Sequence, residues 1–208
     1  MKPEPFTTVS GLAAAMPEEN IDTDIIFPAR FLLLTQREGL GVHAFHDRRF
    51  REDGSEVADY VLNTAEFRTA PVIVAGTNFG SGSSREQAVW ALAGRGVKVV
   101  IAPTLGEIFA GNCLRNGLLP ITLDPSEVDL LLAAAARMAP FTIDLERQTI
   151  TAGDLAPIAF GIAPERKQAL LMGWDETDEV IGRFSADIAA FEAAQRRSQP
   201  WLYPAEPV

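Results

Sequence analysis

Val72-Ile73-Val74-Ala75-Gly76-Thr77-Asn78-Phe79-Gly80-Ser81-Gly82-Ser83-Ser84-Arg85-Glu86-Gln87 reads as a strand, a glycine-rich turn and the start of a helix. The first four residues are short, apolar and β-branched, the pattern of a strand buried on both faces of a parallel sheet. Three glycines then interrupt any regular structure, and a helix is predicted from about Ser84 to Ala93, with Gly94 able to end it. Val97, Val99, Val100 and Ile101 predict the next strand. A second helix is expected over Leu105 to Asn116, closed by Gly117, and a third strand over Leu118 to Thr122. A β–α–β–α–β order implies parallel strands joined by right-handed crossovers. The fold class is α/β.

Outside this middle the signals are weaker. Phe6–Ser10 and Leu12–Met16 read as extended pieces, and Pro28 as the first position of a short helix through Phe31-Leu32-Leu33-Leu34. Asp47 to Asp59 looks like a solvated charged excursion with a turn at Asp53-Gly54. Further on, Ser126–Met138 predicts a helix between Pro125 and Pro140. Phe141–Asp144 and Thr149–Ala152 alternate and face each other as a hairpin. Helices follow from Pro164 to about Met172 and from Asp178 to Arg197. The expected organisation is one domain over 1–208, with its core at about 7–160 and a helical C-terminal extension at about 164–208.

The glycine turn sits where a helix N-terminus offers free backbone N–H groups and the positive end of its dipole, a setting for an anion. Ligands of open α/β sheets bind at the carboxyl ends of the strands. Three familiar motifs fail here. A P-loop needs a lysine that is absent. A dinucleotide fingerprint needs glycine where Arg85 stands. A hydrolase elbow needs a glycine two residues after its serine, and neither Ser83 nor Ser84 has one. Arg85 offers a planar fork that matches a carboxylate. The hydroxyl of Ser83 or Ser84 could accept a proton if positive charge stabilised its alkoxide. Against this stands a plain structural reading, in which Ser84 caps the helix and Gln87 closes a capping box.

Composition narrows the chemistry. The 208 residues include 28 acidic and 18 basic side chains, a net charge of −10, with 47% apolar residues. A balance that acidic argues against nucleic acid, because neutralising phosphates needs clustered Lys and Arg. Cys113 is the single cysteine, and His43 and His46 are the only histidines. One cysteine cannot hold an iron–sulfur cluster or a zinc finger, and two histidines cannot make a three-histidine centre. Any metal chemistry must come from elsewhere. The longest stretch without charge, Thr69 to Ser84, is broken by Pro71, Gly76, Gly80 and Gly82, so no membrane span is expected. Neither is a signal peptide. The cytoplasm is the expected compartment.

Three blocks taken together point further. Asn78-Phe79-Gly80-Ser81-Gly82-Ser83-Ser84-Arg85-Glu86 resembles the signature of the swivelling domain of the aconitase superfamily. Phe109-Ala110-Gly111-Asn112-Cys113-Leu114-Arg115-Asn116-Gly117-Leu118-Leu119-Pro120-Ile121 is similar to its second block, and Asn20-Ile21-Asp22-Thr23-Asp24-Ile25-Ile26-Phe27-Pro28 to its first. In length and helical tail the chain resembles the longer bacterial form of the 3-isopropylmalate dehydratase small-subunit family. The resemblance implies a β/β/α swivelling domain that closes over a large iron–sulfur subunit, in a heterodimer or higher assembly, with a [4Fe–4S] cluster in that partner and none in this chain. It implies a hydro-lyase of leucine biosynthesis that moves a hydroxyl between two carbons of a dicarboxylate. It assigns Ser83 as the base, Ser84 and Arg85 to a substrate carboxylate, and Asp24 to the edge of the site. Asp24 also has a plain reading, as a turn aspartate satisfying backbone N–H groups. One departure stands out: Gln87 occupies a place where the family commonly has histidine.

Aconitases, which bind a third carboxylate, carry an arginine shortly after the first block. Here Phe31, Leu32 and Leu33 stand in the corresponding region, suiting a branched aliphatic substituent, although they also read as helix core, and Arg30 and Arg37 flank them. The alternatives are the small subunit of a related hydro-lyase (homoaconitase, citraconate or dimethylmaleate hydratase) and a non-catalytic anion-binding regulatory subunit.

Overall fold

A computed structural model describes residues 4–34, 36–82 and 85–203. Strands β1 (Thr8–Gly11) and β2 (Ala13–Met16) follow one another directly yet enter different sheets. One-turn helices α1 (Thr23–Ile26) and α2 (His46–Arg49), with 3-10 turns at Ala29–Phe31, Leu40–His43 and Val61–Asn63, occupy the stretch before β3 (Val72–Ala75). Then come α3 (Glu86–Gly94), β4 (Val99–Ala102), α4 (Glu107–Arg115), β5 (Leu119–Thr122) and α5 (Pro125–Ala136). The chain continues through β6 (Phe141–Asp144), β7 (Thr149–Ala152), β8 (Ile158–Ala159), α6 (Pro164–Met172) and α7 (Glu176–Ser198).

The parallel sheet runs β2-β3-β4-β5, with Val72 opposite Ala13 and Val99, and Ile101 opposite Ile121. The predicted βαβαβ core is present, extended by β2 at its edge. The second sheet, β1-β6-β7-β8, is antiparallel and includes the predicted hairpin. Because side chains alternate along a strand, β3 divides between two cores. Ile73 and Ala75 face α3 and α4, packing with Ala88, Leu92, Phe109 and Cys113. Val72 and Val74 face the other way, toward Val128 and Leu131 of α5 and toward Phe141, Ile143 and Ile150 of the antiparallel sheet. All four β3 residues are fully buried, which is why this strand reads as an unbroken apolar run rather than as an alternation.

Several boundaries differ from the sequence reading. Helix α3 begins at Glu86, with Arg85 in extended backbone at the N-cap. Gly94 is its last helical residue, and the left-handed position falls at Gly96 (φ +90°). Gly117 (φ +75°) does follow α4 as expected. The helix expected through Phe31–Leu34 is only a 3-10 turn at Ala29–Phe31, held by Leu32 N–H donating to Ala29 O. The Asp53-Gly54 turn forms, with Gly54 N–H donating to Arg51 O at 3.0 Å. The surrounding segment is not a wholly solvated excursion, however. Arg49 is 4% exposed and donates to Asn63 Oδ1 (2.9 Å), Val42 O (3.0 Å) and Ala44 O (3.2 Å). A charged group so placed is retained because its donors are paired.

Candidate active site

The loops leaving the carboxyl ends of β2, β3 and β4 are joined by main-chain bonds. Asn20 N–H donates to Thr77 O (2.9 Å), Gly80 N–H to Ile21 O (2.7 Å) and Thr23 N–H to Ser81 O (2.9 Å). On the other side Phe79 N–H donates to Thr104 O (3.1 Å) and Gly106 N–H to Phe79 O (2.9 Å). Asn78, itself at φ +65°, donates from Nδ2 to Asn20 Oδ1 at 2.8 Å. The three loops therefore make one platform. Gly80 is required in it: its φ is +71°, and a Cβ there would run into the ring of Phe109 on α4. The ring of Phe79 packs edge-on against the same Phe109, with centroids 5.5 Å apart.

On this platform the structure brings together two of the residues that the sequence assigned to the site. Asp22 caps α1, its side chain accepting from Ile25 N–H at 2.8 Å. The turn role weighed for Asp24 thus belongs to its neighbour. Asp24 is left exposed, and its carboxylate pairs with the Arg85 guanidinium. Arg85 keeps only 17% of its side chain exposed, against 51% for Asp24. Among the described residues this largely buried guanidinium is engaged through one nitrogen, and it retains donors for a second carboxylate. Ser83 and Ser84, assigned as base and carboxylate contact, lie outside the described residues, as does the Ser84 half of the capping box.

Below Arg85, Glu86 places a carboxylate in the first turn of α3, where the helix dipole favours it. Its Oε1 accepts from Asn116 Nδ2 (2.9 Å), and Trp90 Nε1 donates to Asn116 Oδ1 (3.1 Å). Asn116 accordingly ties α3 to the end of α4. Cys113 is completely buried, and burial pushes its thiol pKa up, so it is core filler, not a thiolate ligand.

The apolar segment after the first block divides. Phe31 stacks on His43, with centroids 4.2 Å apart and planes at 29°, and lies 5.9 Å from Phe27. Leu32 packs against the core beside it, whereas Leu33 is 90% exposed. Leu33, Leu34, Leu40 and His43, together with Gln36 and Glu38, line a cleft of about 360 Å³. The flanking arginines are engaged elsewhere. Arg30 pairs with Asp47 and contacts His46 Nδ1 at 3.0 Å, holding the Asp47 carboxyl below its ordinary range. Arg37 lies over the Trp90 ring at 4.4 Å. The sequence reading missed His43 as a support for this segment, having weighed the two histidines only as metal ligands. Their three-residue spacing, with Phe45 between them, was the available signal.

Residues 3–126 match the aconitase C-terminal domain, and residues 183–205 match the C-terminal domain of the 3-isopropylmalate dehydratase small subunit. The 3-isopropylmalate dehydratase small subunit of Paramagnetospirillum magneticum is 47% identical over 96% of this chain and 100% of its own length. That of Gluconacetobacter diazotrophicus is 49% identical over 95% and 96%. The chain belongs to the 3-isopropylmalate dehydratase small-subunit family.

A crystal structure of a 3-isopropylmalate dehydratase from Methanocaldococcus jannaschii covers 88% of this chain and 99% of its own, at TM-score 0.64 and 27% identity. The fold is thus the swivelling domain of this family, with the parallel sheet and helical C-terminal region expected. Among the described residues no cluster of three or more His, Cys, Asp or Glu side chains is placed to hold a metal. None of the described helices is long and apolar enough to cross a membrane.

Proposed function

We propose that this chain is the small subunit of the hydro-lyase that converts 2-isopropylmalate to 3-isopropylmalate in leucine biosynthesis, working with a large subunit that carries a [4Fe–4S] cluster. The observation that carries this reading at the site is the Arg85–Asp24 pair, set on a platform of three loops, with Ser83 and Ser84 preceding Arg85 in sequence. Family membership supports the reaction class.

The reaction removes water from one carbon pair and returns it with the hydroxyl moved. A base must take the proton beside a carboxylate, and an electrophile must take the hydroxide. One buried cysteine does not fit a cluster, so the electrophile is assigned to the partner. This chain supplies the remainder. Arg85, oriented by Asp24, holds a substrate carboxylate in its fork, and Ser84 adds a hydroxyl contact. Ser83 accepts the proton as an alkoxide and returns it on rehydration to the carbon that loses the hydroxyl. Phe31, Leu32 and Leu33 receive the branched aliphatic substituent, with the flanking Arg30 and Arg37 drawn to Asp47 and Trp90.

Ser83→Ala tests the assignment. With the large subunit present, turnover should fall by about 10²–10⁴-fold, while co-elution of the two chains is unchanged. Turnover at the wild-type rate would remove Ser83 from the mechanism.

A further inference from the structure

We propose that the uncovered apolar face of α7 is the docking surface for the large subunit. The inference rests on the reading of this chain as half of a two-subunit enzyme. Helix α7 is 23 residues long, and none of them is buried. Its N-terminal end is fastened to its own chain. Glu179 faces Arg166 at 3.8 Å, and Gly182 lies so close to the Trp174 ring that a Cβ would stand 2.7 Å from it. Helical geometry breaks at Phe184 (φ −118°, ψ 19°). Past that break, Phe184, Ile188 and Phe191 follow at spacings of four and three, placing them on one face. Phe184 is 50% exposed and Phe191 63%, and just before the break Val180 and Ile181 stand half-exposed as well. An aromatic side chain carries about 150–250 Å², so at these exposures the two rings with Val180 and Ile181 leave roughly a few hundred Å² of apolar surface, the size of the patches that are often functional on soluble monomers. In proteins a helix draws most of its stability from packing its apolar face against something else. Something must cover it.

Two observations choose the occupant. Residues 183–205 match a domain described for the small subunit, separate from the aconitase domain matched over 3–126. The helix thus accompanies the chain's status as a detached subunit, not the core of the swivelling domain. A second copy fits poorly. A two-fold antiparallel pairing centred on the Phe184–Phe191 stripe would bring Asp187 against its own image, and each chain carries a net charge of −10. The stripe therefore calls for a different chain that presents apolar surface without a matching acid at its centre.

The test uses full-length Phe184→Asp and Phe191→Asp variants with the purified large subunit. Since both side chains are half-exposed or more, each variant should keep the wild-type circular dichroism and urea midpoint. The dissociation constant of the complex should rise about 30-fold or more, the size of an aromatic hot spot. Turnover per complex at saturating large subunit should stay at the wild-type value. Wild-type affinity in both folded variants overturns the inference. So does loss of a homodimer of the isolated chain with affinity for the large subunit unchanged. If the wild-type pair assembles but does not turn over isopropylmalate, the functional reading fails while the docking surface stands.

Discussion

Arg85 and Asp24 show how a single pair can be partly legible. Both positions stand out in the sequence, one for its planar fork and one for its place in an acidic run, but 61 residues separate them. Only the junction of the β2 and β3 loops brings them together. Arg85→Lys keeps the charge and loses the fork, so at least one charge-assisted hydrogen bond of about 1.5–3 kcal/mol is lost. The KM for substrate in the reconstituted enzyme should rise about 10–100-fold, with a smaller change for Asp24→Asn, which preserves an acceptor. An unchanged KM in Arg85→Lys would remove the carboxylate role. His43 permits a second prediction. Burial, then His46 and Arg30, hold its pKa below the ordinary histidine range. The unfolded chain therefore binds the extra proton first. Stability associated with neutral His43 is present above about pH 6.5 and is lost as pH falls below it. His43→Phe keeps a ring against Phe31 without that titration. The gap between wild-type and variant urea midpoints should move in the variant's favour from pH 7.5 to pH 5.5. A constant gap would show that His43 does not titrate in this way.

Among elements, β3 and β4 were legible because strands buried on both faces cannot hide their composition, and edge strand β5 because it lies between the Gly117 stop and the Pro125 helix start. The helix ends were less so, and Gly94 shows why. A glycine at the end of an apolar helical pattern reads as a left-handed stop. Here it is helical, and its use is close approach. The 3-10 turn at Leu40–His43 crosses it, and a Cβ on Gly41 would penetrate the Gly94 carbonyl. A glycine required by a neighbour 53 residues away looks the same in sequence as one required by its own dihedral angles. The segment between β2 and β3 was obscure for a related reason. Its order comes from long-range anchors, such as buried Arg49 bonding Asn63, and not from periodicity. The Gly41–Gly94 contact seats the turn that bears His43 against α3, whose N-cap is Arg85. Gly41→Ala should therefore destabilise the chain by about 1–3 kcal/mol, the usual cost of overpacking. Thermal unfolding should show a midpoint lower by several degrees, at ~2–4 °C per kcal/mol for a chain of this size. A variant as stable as wild type would mean that the turn can lift away without consequence.

At the scale of the molecule, the parallel sheet carries the site at its carboxyl edge, while the antiparallel sheet and α5 close its other face. That arrangement puts the Arg85–Asp24 pair at a surface, with Asp24 half-exposed, as the proposal of a reaction centre shared with a second chain requires. A hydration–dehydration needs an electrophile as well as a base. The described residues hold no cluster of metal-binding side chains, and the one thiol is sealed in the core with its thiolate disfavoured. The acidic excess has the same consequence. With a net charge of −10, a dianionic substrate gains little from the field of this chain alone, so the proposed function assigns its binding to local cations, Arg85 here and others on the partner. The isolated chain should therefore bind no iron in anaerobic reconstitution, measured by elemental analysis, and should neither bind nor turn over isopropylmalate at concentrations near the KM of the assembled enzyme. Adding the reconstituted large subunit should restore turnover in proportion to complex formed, reaching a plateau at a fixed ratio of the two chains. Stoichiometric iron on the isolated small chain, or turnover without the second subunit, would show that the reaction centre is complete here.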